Sequence, residues 1–141
     1  MAALRAATAA APDDESLALE LARALALSGD PAAAEALVAK LSPALQSDPP
    51  VRAVRGLAHF ARVAASPDET DAIQSARVAA ARALLQGDVQ RGLDALLGAM
   101  QRNRRYATDQ GRKDLVQAFD VAPADHPGVA AARRSLAALL H

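Results

Sequence analysis

The stretch Leu21-Ala22-Arg23-Ala24-Leu25-Ala26-Leu27-Ser28-Gly29-Asp30-Pro31-Ala32-Ala33-Ala34 decides the fold. Leu21 and Leu25 stand one helical turn apart, and Leu17 extends the same apolar stripe toward the N-terminus. Gly29 ends that helix, Asp30 caps the next, and Pro31 takes the first helical position, where no N–H is needed. Ala34, Leu37, Val38 and Leu41 then carry the stripe of the second helix. Two amphipathic helices joined by so short a turn fold back on each other and share their apolar faces.

The same punctuation recurs along the chain. Gly87-Asp88 repeats the stop and the cap, and Asp48-Pro49 and Asp125-His126-Pro127 read as helix starts. Ser66-Pro67-Asp68-Glu69 reads as a capping box, and Asp13-Asp14-Glu15-Ser16 places negative charge where a helix dipole favours it. Between these marks run further stripes: Val54, Leu57, Ala58, Ala61; Ile73, Ala76, Ala80, Ala83, Leu84; Val89, Leu93, Leu96, Leu97, Met100; Leu115, Val116, Phe119; and Val129, Ala132, Leu136, Leu139, Leu140. They predict about seven helices, over roughly 15–28, 31–46, 49–65, 68–86, 88–103, 108–121 and 126–140. Composition agrees, because 39 alanines and 19 leucines favour helix, while three aromatics and few β-branched residues leave nothing to build a sheet. The predicted class is all-α.

Composition also removes function classes. The chain has no cysteine, so disulfides, thiolate metal sites, redox dithiols and thiol nucleophiles are excluded within it. Sixteen basic and sixteen acidic residues balance to zero, so no overall field draws it to nucleic acid or an anionic membrane. Fourteen of the basic residues are Arg, which with the alanine excess suggests a GC-rich coding sequence. No run of about 18 apolar residues spans a bilayer. The start MAALRAATAAAP lacks the Leu-rich centre of a signal peptide, and the expected setting is the bacterial cytoplasm. The histidines His59, His126 and His141 lie in different elements without an i+4 partner, and no metal site is expected. The carboxylate runs sit at helix starts, where capping explains them. No glycine-rich nucleotide loop or nucleophile elbow occurs. No polar cluster is expected to converge, so no catalytic residue, no cofactor and no enzyme activity is predicted.

Spacing brings in a repeat. A tetratricopeptide unit is 34 residues of helix–turn–helix with small residues where the helices cross. Leu21-Ala22-x-x-Leu25, the Gly29 turn and Ala34 fit that template, as do Gly87, Gly92 and their flanking helices. Gly56 falls 34 residues after Ala22, where the template again wants a small residue. The repeat then breaks, because no further helix fits between Val63 and Asp71. The expected architecture is a degenerate tetratricopeptide-like array of antiparallel helices, an α-α superhelix. An irregular helical bundle without repeat ancestry is the alternative.

The C-terminal third carries a second likeness. Asp109-Gln110-Gly111-Arg112-Lys113-Asp114-Leu115 and Ala131-Ala132-Arg133-Arg134-Ser135-Leu136-Ala137-Ala138-Leu139-Leu140 resemble the tail of the YbbN-type thioredoxin-like co-chaperones, or chaperedoxins. Phe119, His126-Pro127 and Val129 fall where that tail expects them, and the Gly87-Asp88 turn with Leu93, Leu96 and Leu97 resembles the repeat before it. The likeness is close over 109–140 and loose over most of 15–140. It implies a tetratricopeptide-like domain that holds client proteins and docks the chaperonin, preceded by a thioredoxin-fold domain. No thioredoxin segment lies within this chain, and it ends in His141 where the family has an aromatic residue, so no redox role carries over. The expected organisation is a remnant helix or linker over 1–14, cut from an upstream part, and a helical domain over 15–141. The apolar edge so exposed favours a homodimer.

Two surfaces stand out as candidate protein-binding sites. Arg102, Arg104, Arg105, Arg112 and Lys113 surround Tyr106. One aromatic is too few for a nucleic-acid stacking platform. Either they face a protein partner, or they end a helix and pair with Asp109 and Asp114. Arg133, Arg134 and Leu140 belong to the last helix, whose Val129, Ala132, Leu136 and Leu139 should face the preceding one. That helix either caps the array or, as the resemblance implies, docks the chaperonin. A generic scaffold or dimerisation domain without a chaperone role is the alternative function.

Overall fold

Two glycines set the geometry of the array. In the computed structural model, which describes residues 1–66 and 71–141, Gly29 and Gly87 are the residues with positive φ, at 91° and 85°. Each ends a helix in a Schellman turn. The Asp30 amide donates to Leu25 O at 2.9 Å and the Asp88 amide to Ala83 O at 2.9 Å, with Gly29 and Gly87 closing the inner bond. The following aspartate then starts the next helix: Asp30 Oδ1 accepts from the Ala33 amide and Asp88 Oδ1 from the Arg91 amide, both at 3.2 Å.

The described residues form nine α-helices and no strand. They are α1 (Ala2–Ala10), α2 (Glu15–Leu27), α3 (Pro31–Ala39), α4 (Pro49–Ala64), α5 (Ala72–Leu85), α6 (Val89–Arg102), α7 (Arg104–Thr108), α8 (Gln110–Val121) and α9 (Pro127–Leu140), with one 3₁₀ turn at Pro43–Leu45. The all-α expectation holds. Residues 2–10, expected as part of a remnant helix or linker, form a helix that packs on α2. Three boundaries differ for identifiable reasons. The second predicted helix stops at Ala39 instead of 46, because Pro43 cannot continue it. Gln46 closes that end by donating from Nε2 to Val38 O and Leu41 O. Asn103 accepts from the Tyr106 amide at 3.0 Å and so starts a separate short helix, α7. The predicted capping box at Ser66-Pro67-Asp68-Glu69 falls largely outside the described residues; α5 begins at Ala72, capped by Asp71 through the Ile73 amide at 2.8 Å.

The helices pack as an array whose neighbours are mostly successive: α1 on α2, α2 on α3, α3 on α4, α4 on α5, α5 on α6. Small residues sit at the crossings, as the repeat template requires. Ala22 and Ala34 are fully buried between α2, α3 and α4. A Cβ on Gly56 would meet Val121 Cγ2 of α8 at 2.7 Å and the Gln117 carbonyl at 3.0 Å; one on Gly92 would meet Leu84 Cγ of α5 at 2.6 Å. After α6 the order changes. The helix α8 packs on both α4 and α6, and α9, expected to face the preceding helix, lies mainly on α6 and α7 and meets α8 where Arg133 covers Phe119.

Two hydrophobic cores result. Leu21, Leu25, Val38, Leu41, Val51, Val54 and Leu57 build the first, and Phe60, Val78, Leu84, Leu93, Leu96, Met100 and Leu115 the centre of the second. The helix α4 belongs to both, its first half to one and its last turns to the other. Its polar residues tie it outward on two sides. Arg62 pairs with Glu35 of α3 at 2.6 Å and Arg55 bonds Gln46, while Arg52 approaches Asp120 of α8 at 3.8 Å.

Gly29→Ala and Gly87→Ala each test the turn. A Cβ at either site meets nothing within 4 Å, so the whole cost is left-handed backbone, about 1–2 kcal/mol. Urea unfolding should show that loss at both sites, and an unchanged midpoint would refute the strain.

Candidate protein-binding surfaces and a buried carboxylate hub

The most connected polar group among the described residues is one that the sequence marks only as a surface partner for neighbouring arginines. Asp114, on the inner face of α8, is fully buried. Its Oδ1 accepts from His59 Nε2 at 2.9 Å, Arg77 Nη2 at 3.1 Å and Gln110 Nε2 at 3.0 Å; its Oδ2 accepts from Arg77 Nε at 2.7 Å and the Tyr106 hydroxyl at 2.6 Å. Donors from α4, α5, α7 and α8 therefore meet on one carboxylate. The expectation that no polar cluster converges is overturned. Helical periodicity marks Asp114 as polar but does not reveal that α4 and α5 bring His59 and Arg77 to it.

The electrostatics follow from that arrangement. Burial alone raises the Asp114 carboxyl, but the bonds from His59, Arg77, Tyr106 and Gln110 outweigh it and hold the group well below the usual carboxylate range. Burial, and then the bond to Asp114, pushes the Tyr106 phenol above its ordinary value. An ionised carboxylate presents about four lone-pair sites. Five donated bonds saturate them, so Asp114 has no free acceptor for a substrate. The hub is a lock between helices, and it also corrects the expected surface pairing. Asp114 does not neutralise the neighbouring arginines, and Tyr106 is buried beneath them instead of standing among them. Asp109 does pair, with Lys113 at 3.6 Å, both ends being largely exposed.

The candidate binding residues fall on two separate surfaces. Arg104 and Arg105 on α7 and Arg112 on α8 are exposed. A cavity of about 380 Å³ has Arg112 in its wall, together with Thr108, Asp109, Lys113, Val116 and Gln117. Arg133 and Arg134 are exposed on α9, and Leu140 is half-buried. Val129 and Ala132 on the same helix are buried, and Leu136 and Leu139 pack partly against the second core. The Arg133 guanidinium lies over the Phe119 ring, 5.2 Å from its centre, and lines a different groove with Arg52, Pro49, Val129 and Pro123. His126, expected beside a cap, is itself the cap of α9, with Nδ1 accepting from the Gly128 amide at 3.0 Å. Among the described residues no cluster of three metal-ligating side chains occurs, and no helix is long and apolar enough to cross a membrane.

Comparison with known proteins supports the repeat reading. No curated protein and no solved structure matches the chain. Two family models, each described as tetratricopeptide repeat, do match, one over residues 44–141 and the other over 1–58. Their overlap, residues 44–58, runs from the 3₁₀ turn into α4, the helix that both cores share. A fold of this kind offers helical surfaces to protein partners. With paired helices turning on Gly29 and Gly87, small residues at the crossings and a family model covering most of its length, this chain belongs to the tetratricopeptide repeat family.

Proposed function

We propose that this chain is the helical C-terminal part of a YbbN-type thioredoxin-like co-chaperone. In that role it holds client proteins and docks the chaperonin through α9, in the bacterial cytoplasm, with a thioredoxin-fold domain upstream. The observation that carries the reading is the division of labour within the tail motif. Its apolar members Leu115, Val129 and Ala132 are consumed by packing, while its basic members Arg112, Lys113, Arg133 and Arg134 stay at the surface. Packing accounts for the first set; the second stays at the surface, with Lys113 beside Asp109 and Arg133 over Phe119 still open to a partner on their exposed sides. The α7–α8 arginines are assigned to client contact and the α9 pair, with Leu140, to the chaperonin.

The test is Arg133→Ser combined with Arg134→Ser. Exposed charges contribute little to folding, so stability should change by less than about 1 kcal/mol. Chaperonin capture by the folded variant should fall about tenfold, and added salt should weaken capture by the wild type. Unaltered capture would remove the arginines as the contact.

A generic dimerisation role has one observation in its favour. No residue of α1 is buried, and α1 borders a groove of about 500 Å³ with α2 and α3. Light scattering distinguishes the two: a stable dimer that never captures chaperonin would favour this second reading.

A further inference from the structure

From the charge and exposure of α7 and α8, we propose that the ledge of Arg104, Arg105, Arg112 and Val116 docks an acidic segment of a protein partner that carries an aliphatic side chain. This rests on the protein-binding reading above and gives it a partner chemistry.

Charge segregation comes first. Residues 102–113 hold five cations, Arg102, Arg104, Arg105, Arg112 and Lys113, against the single carboxylate Asp109, in a chain whose net charge is zero. Asp109 is engaged by Lys113. The side chains of Arg104, Arg105 and Arg112 make no ion pair or hydrogen bond among the described residues. The next carboxylate along the chain, Asp114, is turned inward and saturated by His59, Arg77, Tyr106 and Gln110. The fold thus withdraws the natural counter-charge and leaves three guanidinium groups facing water.

An apolar foothold lies beside them. Val116 is 47% exposed, one of three large hydrophobic residues so placed among the described residues, and it lines the 380 Å³ cavity with Thr108, Gln117 and Arg112. That is room for one aliphatic side chain. Arg104 and Arg105 stand one turn before Thr108 and Asp109 at the rim. A segment with a leucine in the cavity and carboxylates on either side would meet Arg112 on one flank and the α7 arginines on the other. Nucleic acid fits less well, because Tyr106 is buried with its hydroxyl committed to Asp114, leaving no aromatic face for base stacking.

The experiment uses the full chain and three fluorescein-labelled probes with blocked ends: a short peptide of Glu and Leu, the same peptide with Gln for every Glu, and a single-stranded oligothymidine. The Glu peptide should bind, weaken at least tenfold between about 50 and 300 mM salt, and weaken about tenfold in an Arg104→Ser, Arg105→Ser, Arg112→Ser chain whose circular dichroism is unchanged. Val116→Ser should weaken binding while keeping its salt dependence. Equal affinity for the Gln peptide, full affinity in the triple variant, or tighter binding of the oligothymidine would each overturn the ledge. The co-chaperone reading is tested separately. Chaperonin capture that depends on Arg133 and Arg134 would uphold that reading even if the ledge fails. A ledge that binds the Glu peptide without chaperonin capture would stand alone.

Discussion

Asp114→Ala should lower the unfolding free energy by about 3–5 kcal/mol, the usual cost of removing one partner from a buried pair. The loss exceeds that of any single hydrogen bond because the mutation strands several groups at once. Arg77 keeps a guanidinium whose side chain is only 18% exposed, and Tyr106 and Gln110 lose their acceptor. Four elements, α4, α5, α7 and α8, lose their shared tie. The pH dependence fixes the assignment further. The folded carboxyl titrates below its unfolded value, so its contribution is complete above the ordinary carboxylate range near pH ~4 and is lost progressively as pH falls from there toward the lowered folded value. Urea midpoints of the wild type should therefore drop between about pH 5 and pH 2, and part of that drop should vanish in Asp114→Asn. An Asn variant as acid-sensitive as the wild type would show that other carboxylates govern acid unfolding.

Phe60→Ala should cost a comparable amount, about 3–5 kcal/mol, because a large ring is removed from a site that is 1% exposed. Its place in the chain makes the effect uneven. Phe60 lies in the last turns of α4 and points into the second core, among Val63, Val78, Leu84, Leu93 and Leu96. The first core, around Leu21, Leu25, Val38 and Val54, does not contain it. Amide exchange in α5, α6 and α8 should accelerate more than in α2 and α3. Val54→Ala, in the first half of the same helix, should reverse that pattern at lower cost. Uniform acceleration by both variants would mean that the two cores open as a single unit.

Local rules carried most of the helices. Gly29-Asp30-Pro31 and Gly87-Asp88 specify turns through properties of single residues: a left-handed φ without a Cβ penalty, an oxygen placed to accept an amide, a fixed ring. Such signals act over a few residues and can be read in order. The differences lie where two local signals compete. Pro43 ends α3 early because a proline inside a helix removes a bond and clashes with the preceding turn. Asn103 starts α7 because its side chain competes for the Tyr106 amide.

The surfaces divide along the same line. That Arg104, Arg105, Arg112, Arg133 and Arg134 remain exposed follows from charge alone, since burying an unpaired guanidinium is prohibitive. That Asp114 is buried does not follow. A carboxylate three positions from Gly111 and one before Leu115 reads equally well as a partner for nearby arginines. The sequence by itself determined the all-α class and the two glycine turns, because each rests on neighbours within about one helical turn, and it marked the small residues Ala22, Ala34, Gly56 and Gly92 through the repeat spacing. Only the tertiary structure decided that α8 inserts against both α4 and α6, that α9 settles on α6, and that His59, Arg77 and Tyr106 meet on Asp114. Those contacts join residues 8, 37 and 55 positions apart, and no short-range pattern encodes which distant donor a buried acceptor will find.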